Sequence, residues 1–302
     1  MPPLAAATSA IDDDLAVLLE RTDSRPIAIE PVQSSVSPRA EPGAFRVRLA
    51  DGRCIKARVQ TSRGHAERIE YFLGRLHHEG FPKVLARHGR ALLLEWFDGE
   101  PLPDRPPAEL LERCASLHAS VHLVPAPEDC PYGIRDVASF ETKLESELRE
   151  LCDLGIVAEP VGRTALQAAE RFRPDGCAIG IVHRDICSEN LIVRPGGAVA
   201  AIDNESLSLG AREFDLARTW YRWPMERARR RIYLEAYTRV VGGGIDPFLA
   251  HFPFWAIAVL ADSARLRAGA TPQVSRVPVE RLSELLAVLQ RGVPGAESVF
   301  EA

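Results

Sequence analysis

A polar connector between two short apolar runs constrains the fold of this chain more than any other feature. The stretch GIVHRDICSENLIV, residues 180–193, begins and ends with residues typical of buried strands. A plain hairpin would join two strands through Asn-Gly or Asp-Gly, and this connector contains neither pair. It carries instead His183, Arg184, Asp185 and Asn190. So many polar groups between two apolar strands require a chemical explanation.

A third apolar run follows and ends in acids. The text AIDNE places Asp203 thirteen residues after Asn190. Phosphoryl transfer from ATP needs a carboxylate that accepts or orients the proton of the attacking hydroxyl, and oxygen ligands that hold Mg²⁺ against the phosphates. If the strand ends lie side by side, Asp185, Asn190 and Asp203 can point to one site. We therefore expect the connector to be a catalytic loop.

The composition is that of an ordinary globular protein. The 302 residues are 46% hydrophobic and 26% charged, which suffices for one large or two modest domains. The net charge of −5 gives no indication of nucleic-acid binding. The six cysteines include no Cys-x-x-Cys pair, which disfavours zinc sites of the usual spacing and thioredoxin-like chemistry.

Neither a signal peptide nor a membrane span is expected. The N-terminal text MPPLAAATSAIDDD has no basic region, and its short apolar run ends in acids. The longest apolar run, FPFWAIAVLA, is well short of the roughly 20 residues that a membrane span needs. We expect a soluble cytoplasmic protein without a membrane partner.

The hydrophobic pattern changes near residue 107, from strand-like to helical. The first part shows an acid-capped helix at 12–22, an amphipathic helix at 64–80, and strand patterns at 26–32, 45–49, 54–60 and 91–97. The Asp-Gly pair at 51–52 predicts a hairpin between two of these strands. Amphipathic helices are predicted at 108–124, 138–155 and 162–173, and again from 211 onward.

This change predicts an α+β fold with two lobes and a cleft. We expect residues 1–97 to form a small β-rich N-terminal lobe that binds nucleotide phosphates. Residues 98–107, rich in Gly and Pro, are the expected hinge. Residues 108–302 are the expected helical C-terminal lobe, with the catalytic loop and the substrate site.

Three stretches carry a resemblance to a known family. HRDICSEN matches the protein-kinase catalytic-loop pattern H-R-D-x-x-x-x-N. The next strand ends in IDNES rather than D-F-G, and IDNE followed by GAREFDLAR resembles the aminoglycoside phosphotransferase and choline kinase branch of the protein-kinase-like fold. CASLHAS, residues 114–120, is also similar to text typical of that branch. The resemblance extends from about residue 26 to about 270 and is most specific at 183–218.

The resemblance implies ATP and Mg²⁺ as cofactors and a role for each loop residue. Asp185 is the expected base, and Asn190 and Asp203 are the expected magnesium ligands. Supporting roles fall to His183, Arg184, Glu205 and Asp215.

For each of these four supporting residues, a structural role is the alternative to a direct role in the chemistry. His183 is expected to anchor the loop, and Arg184 either neutralises an acid or covers surface. Glu205 either contacts metal or is an ordinary acid of the site. Asp215 is expected to fix the catalytic loop.

His118 and His122 could bind metal, but no third ligand is apparent. This favours one histidine in the core and one at the surface.

A lysine on the third strand is a further implication of the resemblance. Lys56, in CIKARV, matches V-A-I-K and is one of only three lysines in a chain whose Lys and Arg total 37. Its ammonium would contact the α- and β-phosphates. The alternative is a lysine whose stem covers the sheet surface. The expected partner is Glu67, with Glu70 as the alternative on the same helix.

The loop expected over the phosphates departs from the protein-kinase pattern. QSSVSPRAEPGA, residues 33–44, lacks G-x-G-x-x-G and has a single glycine. Backbone amides and Ser35, or its neighbours Ser34 and Ser37, are expected to meet phosphate. A plain hairpin loop is the alternative.

The purine is expected on the strand ALLLEWF, residues 91–97. The backbone groups of Glu95 and Phe97 would form its hydrogen-bonding edge. Trp96 could equally belong to the core.

The acceptor is expected to be a small molecule with a hydroxyl group. Acids at 138–159 could attract a polycationic aminoglycoside, or could be a solvated helix face with i,i+4 pairs. The resemblance implies an aminoglycoside or another antibiotic first, with choline, an amino alcohol, a sugar or a nucleoside antibiotic still open.

Two rival functions remain. A protein or lipopolysaccharide kinase is favoured by the intact H-R-D, but residues 204–212 are too few for a long activation segment. A non-catalytic nucleotide-binding protein is disfavoured because Lys56, Asp185, Asn190 and Asp203 are all present.

Overall fold

A computed structural model describes residues 12–32, 43–269, 272–292 and 296–301. Its residues divide into two compact units. The first comprises Met1–Pro101 with Ile192–Leu207, and the second comprises Leu102–Leu191 with Ser208–Ala302.

The helices and strands largely follow the predicted order. The α-helices are α1 (Asp13–Glu20), α2 (Arg63–Leu73), α3 (Ala108–His122), α4 (Val137–Asp153), α5 (Glu159–Arg171), α6 (Arg212–Arg222), α7 (Arg227–Val241), α8 (Asp246–Ala250), α9 (Phe252–Leu266) and α10 (Pro272–Gln290). The strands are β1 (Pro26–Pro31), β2 (Ala44–Leu49), β3 (Cys54–Val59), β4 (Val84–His88), β5 (Ala91–Glu95), β6 (Glu100–Pro101), β7 (Ile179–Val182), β8 (Leu191–Val193), β9 (Val199–Ala201) and β10 (Ser208–Ala211).

The first unit contains a five-stranded sheet of order β1-β2-β3-β5-β4. The predicted hairpin is confirmed: β2 and β3 pair antiparallel, with Arg46 opposite Lys56. Gly52 has a φ of 89°, a conformation that favours glycine at this turn. On its other side β3 pairs with β5, where Leu94 lies opposite Lys56. The strand that carries Lys56 is therefore held from both edges.

Helix α1 covers one face of this sheet. Its predicted acid cap is confirmed, because the Asp12 side chain accepts a hydrogen bond from the Asp14 amide. Leu15 and Leu18 of the helix pack with Val47 and Ile55 of the sheet in one buried cluster. Each such side chain contributes about 1.5–3 kcal/mol by leaving water.

Strands β7 and β8, which flank the polar connector, belong to different sheets. β7 pairs with β10 in a two-stranded sheet, and β8 lies between β6 and β9. In the β7–β10 pair Gly180 faces Gly210, and a side chain at position 180 would collide with the Arg212 guanidinium. The four-residue run of β10 was too short and too rich in small residues to predict as a strand.

Helix α9 is the apolar centre of the second unit. Thirteen of its residues, from Phe252 to Ala264, are buried, and Asp262 is the one ionisable residue among them. In the described part of the chain, no helix is long and apolar enough to cross a membrane.

Candidate active site

The connector after β7 is fixed by a buried carboxylate, as expected for Asp215. This residue lies on α6 and is fully buried. Its Oδ2 accepts a hydrogen bond from the His183 amide and its Oδ1 accepts one from the Arg184 amide, both at 2.7 Å. Arg184 has a φ of 65°, an uncommon conformation for a residue with a side chain. The carboxylate holds this strained turn, which directly precedes Asp185.

Two histidines of α3 and two tyrosines of α7 surround Asp215. The His122 Nε2 lies 3.0 Å from Asp215 Oδ2, and its Nδ1 lies 2.5 Å from the Tyr237 hydroxyl. The His118 Nε2 lies 3.2 Å from the same oxygen, and its Nδ1 lies 2.8 Å from the Tyr233 hydroxyl. A neutral imidazole donates at one nitrogen and accepts at the other, and the surroundings of His122 fit this form.

Electrostatics agree with this assignment. Burial, together with the smaller effect of the neighbouring His118, lowers the pKa of His122 to about 4. Burial alone would raise the pKa of Asp215, but His118 and His122 outweigh it and hold that pKa well below 3.8. A charged Asp215 with a neutral His122 is the state that the site favours at neutral pH.

The two histidines were expected to be a core and surface pair without a third ligand, and this is wrong on both points. His118 and His122 are both fully buried. Together with Asp215 they place three candidate ligand atoms within 4.8 Å of one another. Both oxygens of Asp215 already accept amide hydrogen bonds, so the cluster has the bonding pattern of a loop support.

The pH dependence of stability should report the burial of His122. Between pH 6.5 and about 4, the unfolded chain binds a proton at this residue that the folded protein does not bind. The free energy of unfolding should therefore fall by about 1.4 kcal/mol per pH unit as the pH falls through this window. Urea unfolding at several pH values measures the slope. In a His122→Gln variant the slope should be shallower, and parallel curves would contradict the prediction.

Asp185 is held by two side chains of the second unit. The Asn190 Nδ2 donates to Asp185 Oδ2 at 2.8 Å and to the Asp185 backbone carbonyl at 2.9 Å. The Arg222 Nε donates to Asp185 Oδ1 at 2.9 Å. Asn190 lies in a 3₁₀ turn, Ser188–Asn190, that leads into β8. The structure thus brings together two of the predicted site residues and adds an arginine.

The amide orientation of Asn190 follows from its partners. Both groups that it contacts are hydrogen-bond acceptors, so the NH₂ must face them. The amide oxygen makes no hydrogen bond to any residue that the structure describes. It is an oxygen donor of the kind that Mg²⁺ prefers.

Arg222 is a site residue that the sequence reasoning missed. It lies seven residues after Asp215 on α6, which is two helical turns, so both residues project from one face. Its Nη2 also lies 3.4 Å from the Glu189 carboxylate and 3.7 Å from the Cys187 sulfur. The seven-residue spacing was the signal that could have identified it.

Arg184 neutralises a buried acid, which was one of its two expected roles. Its guanidinium lies 3.5 Å from Asp262 of α9. Arg218 of α6 donates to the same carboxylate at 2.7 Å, and Lys143 of α4 also pairs with it. These cations hold the pKa of Asp262 below its ordinary value, although burial opposes them. The network joins the loop to three helices.

Lys56 lies beside the strand end that carries Asp203, within the first unit. Its Nζ donates to the Ile202 carbonyl. Burial lowers the pKa of Lys56, and the charge of Asp203 opposes that shift. The Asp203 carboxylate makes no hydrogen bond or ion pair with the described residues. A lysine and a free carboxylate side by side suit a polyphosphate and its metal ion.

The expected pairing of Lys56 with Glu67 is corrected by the structure. Glu67 pairs with Arg63 at 2.8 Å and with Arg87 at 3.5 Å, and the alternative, Glu70, pairs with Arg87 at 2.6 Å. Arg87 lies on β4, a strand that the sequence analysis did not predict. Its cation attracts the acids of α2 to that side of the helix.

The Glu205 carboxylate contacts protein groups in the structure, and its contact with a metal stays a prediction. Its carboxylate forms an ion pair with Arg58 and accepts a hydrogen bond from Gln60 at 3.2 Å. Its backbone carbonyl lies 3.1 Å from the His65 ring and 3.0 Å from Arg68. Through these contacts Glu205 links its own loop to β3 and α2.

Replacing Glu205 with glutamine should therefore lower stability more than metal affinity. We expect a loss of about 1–2 kcal/mol in the free energy of unfolding, since a charge-assisted contact to Arg58 is weakened. Urea unfolding measures this loss, and a Mg²⁺ titration of ATP binding should be unchanged. Glu30→Gln is the control because its pair with Arg48 is exposed. A tenfold loss of Mg²⁺ affinity at unchanged stability would instead make Glu205 a metal ligand.

The residues predicted to meet the nucleotide base and phosphates have mixed outcomes. Ser35 lies outside the described residues. The Glu95 amide already donates to the Lys83 carbonyl at 2.9 Å, so only the Glu95 carbonyl could serve a purine edge. Phe97 is buried in a cluster with Ile192 and Ala200. Its purine contact stays a prediction.

Comparison with known proteins decides the family. The model of the phosphotransferase enzyme family matches residues 35–252, which is more than half of the chain. The chain belongs to this family. An aminoglycoside 3'-phosphotransferase of Streptomyces fradiae is 28% identical over 171 residues, 51% of this chain and 62% of that protein. This match therefore spans less than two thirds of the relative.

Two solved structures share the fold. A choline kinase from Streptococcus pneumoniae superposes with a TM-score of 0.64 at 13% identity, covering 87% of this chain and 94% of that one. A macrolide 2'-phosphotransferase type I gives a TM-score of 0.67 at 15% identity, covering 93% and 97%. The predicted protein-kinase-like α+β fold and the predicted family are confirmed.

Proposed function

We propose that this chain transfers the γ-phosphoryl group of ATP to a hydroxyl of a small molecule, with Mg²⁺ as cofactor. The observation that carries the proposal is the catalytic loop. Asp185 is clamped by Asn190 and Arg222, and its turn is held by the buried Asp215. A carboxylate fixed in this way suits the orientation of an attacking hydroxyl.

Asp185 would accept the hydroxyl proton as the acceptor oxygen bonds to the γ-phosphorus. The bond from phosphorus to the bridging oxygen breaks, and ADP leaves with that electron pair. Lys56 would contact the α- and β-phosphates. Most of the rate enhancement would come from alignment and charge stabilisation, as in other phosphoryl transfers.

Asn190 and Asp203 would hold the magnesium ion. The amide oxygen of Asn190 and both oxygens of Asp203 are free of hydrogen bonds to the described residues, and these are the donor types that Mg²⁺ takes. The ion would neutralise the phosphate charge.

An aminoglycoside or another antibiotic is the acceptor that the Streptomyces fradiae relative supports. The acidic segment at 138–159 supports a cationic molecule only if its acids are free of partners. In the structure Glu141 pairs with Arg173, Glu147 with Lys143, and Glu150 with Arg265. Choline, an amino alcohol or a sugar therefore stays open beside it.

A thermal-shift titration with ATP and Mg²⁺ tests the proposal. We expect ATP with Mg²⁺ to raise the Tm of the wild-type protein, because ligand bound to the native state stabilises it. In Asp203→Asn the part of this shift that depends on Mg²⁺ should disappear. Asp23→Asn, an exposed acid of the same unit, is the control and should respond as wild type. No shift in the wild-type protein would reject the proposed function.

A further inference from the structure

A cavity of the second unit, lined in part by Arg222, is rich in arginines. It has a volume of about 200 Å³ and lies entirely in the second unit. Among the lining residues that the structure describes, the charged ones are Arg222, Arg267 and Arg281, and none is acidic. Tyr221 and Phe300 form part of an apolar wall, with their rings 5.6 Å apart. The cavity joins cationic groups to a small apolar surface.

Arg222 links this cavity to Asp185, the expected base. One edge of its guanidinium contacts Asp185 through Nε, and the same side chain lines the cavity. Its Nη1 makes no hydrogen bond to any residue that the structure describes. A group that binds Arg222 from the cavity would therefore contact the same side chain that holds the expected base.

Arg267 provides an uncompensated positive charge. Its Nη1 donates to the Tyr221 hydroxyl at 2.8 Å, and no carboxylate of the described residues lies within ion-pair distance of it. The tyrosine oxygen accepts this bond, so its own hydrogen is free to donate. Burial raises the pKa of Tyr221, which keeps that hydrogen in place at neutral pH. Arg267 and Tyr221 together form a donor pair suited to an anion.

The positive charge of Arg281 is partly offset by an acid, and the remainder adds to the positive charge of the cavity lining. Arg281 pairs with Glu284 at 3.0 Å, and the same Nη1 donates to the Val299 carbonyl. That pair is exposed and contributes little on its own. Arg222 is likewise paired, with Asp185 and Glu189, so the uncompensated positive charge that lines the cavity is that of Arg267.

We infer that the acceptor carries an anionic group, a carboxylate or a phosphate, which binds Arg267, Tyr221 and Arg222 and so places a neighbouring hydroxyl at Asp185. This inference rests on the proposed phosphotransfer. The volume of the cavity is below the range typical of drug-sized ligands, so either the acceptor or its anionic end is small. A small hydroxy acid or sugar phosphate fits these requirements better than an aminoglycoside.

Calorimetric titration of the nucleotide-free protein tests this inference. The probes are glycerate, glycerol 3-phosphate, uncharged glycerol and the polycation kanamycin. The wild-type protein should bind at least one of the two anions more tightly than glycerol or kanamycin. The stronger of the two identifies the anionic group as carboxylate or phosphate. Failure of both anions to bind, or tighter binding of kanamycin, would overturn the inference.

Two variants locate the binding. Arg267→Gln should weaken the anion about tenfold or more, since it removes a charge-assisted hydrogen bond, and Tyr221→Phe should weaken it less. Arg265→Gln is the matched control, because Arg265 lies in the last turn of α9, two residues before Arg267, and pairs with Glu150 outside the cavity. Equal affinity in Arg267→Gln and Arg265→Gln would place the anion elsewhere and refute the inference.

The anion-binding test and the test of the proposed phosphotransfer can fail independently of each other. Stabilisation by ATP and Mg²⁺ without anion binding would reject only the anionic acceptor. Anion binding that depends on Arg267 without any stabilisation by ATP would reject the phosphotransfer and keep the anion site.

Discussion

Asp185→Asn should lower kcat by about 10²–10⁴-fold while leaving ATP affinity unchanged. The substitution keeps the shape of the side chain and an oxygen that can accept the Asn190 hydrogen bond. It removes the negative charge that would accept the proton of the acceptor hydroxyl. It also removes the ion pair with Arg222, which lies 2.9 Å away. The loss should fall on the chemical step, because Asp185 is not expected to contact the nucleotide.

The matched control for this experiment is Glu189→Gln. Glu189 lies in the same loop and also faces Arg222, but its side chain is 55% exposed and its contact is long, at 3.4 Å. Removing an exposed pair of this kind should change kcat by less than about fivefold. Release of ADP with a competent acceptor measures kcat, and a thermal-shift titration measures ATP binding. Full activity in Asp185→Asn would remove the expected base from the mechanism.

Several helices and one hairpin could be predicted from the sequence, because caps, turn residues and hydrophobic periodicity lie within the segment that they shape. Acid capping predicted α1, the Asp-Gly pair predicted the β2–β3 hairpin, and helical periodicity predicted α3, α4 and α5. Strands β4 and β10, two of those missed, are short; β4 follows a turn that contains Gly80 and Pro82, and β10 itself consists mostly of small residues. Their strand conformation depends on pairing with β5 and β7, which no local pattern encodes.

Most of the site residues were predictable from the sequence, but Arg222 and the ion pairs of the site were not. The motif text identified Asp185, Asn190 and Asp215, and the structure confirms that Asp215 holds the loop. Besides the nearby Arg63, Glu67 pairs with Arg87, 20 residues further along the chain, and Asp185 pairs with Arg222, 37 residues further along. Such ion pairs depend on which faces the packed helices and strands present to each other. Motif spacing in the sequence therefore identifies candidate site residues. Tertiary packing determines which charged side chains form ion pairs with each other.

Asp215→Asn should lower the free energy of unfolding by about 3–5 kcal/mol, the loss typical when one partner of a buried charge network is removed. An asparagine can keep one oxygen for the Arg184 amide. Its NH₂ would then face the His183 amide and the imidazole of His122, which are donors themselves. Several buried donors would lose their acceptor, and each unsatisfied group costs about 1–3 kcal/mol. Urea unfolding at neutral pH measures the loss.

The same variant should also release the catalytic loop, because Asp215 bonds the two amides that precede Asp185. Amide hydrogen exchange at His183 and Arg184 should therefore accelerate more than exchange in the central strands β3 and β5. Asp175→Asn, an exposed acid of the same unit, is the control and should stay within about 0.5 kcal/mol of wild type. A stability loss below about 1 kcal/mol in Asp215→Asn, with unchanged loop exchange, would show that the buried carboxylate does not support the loop.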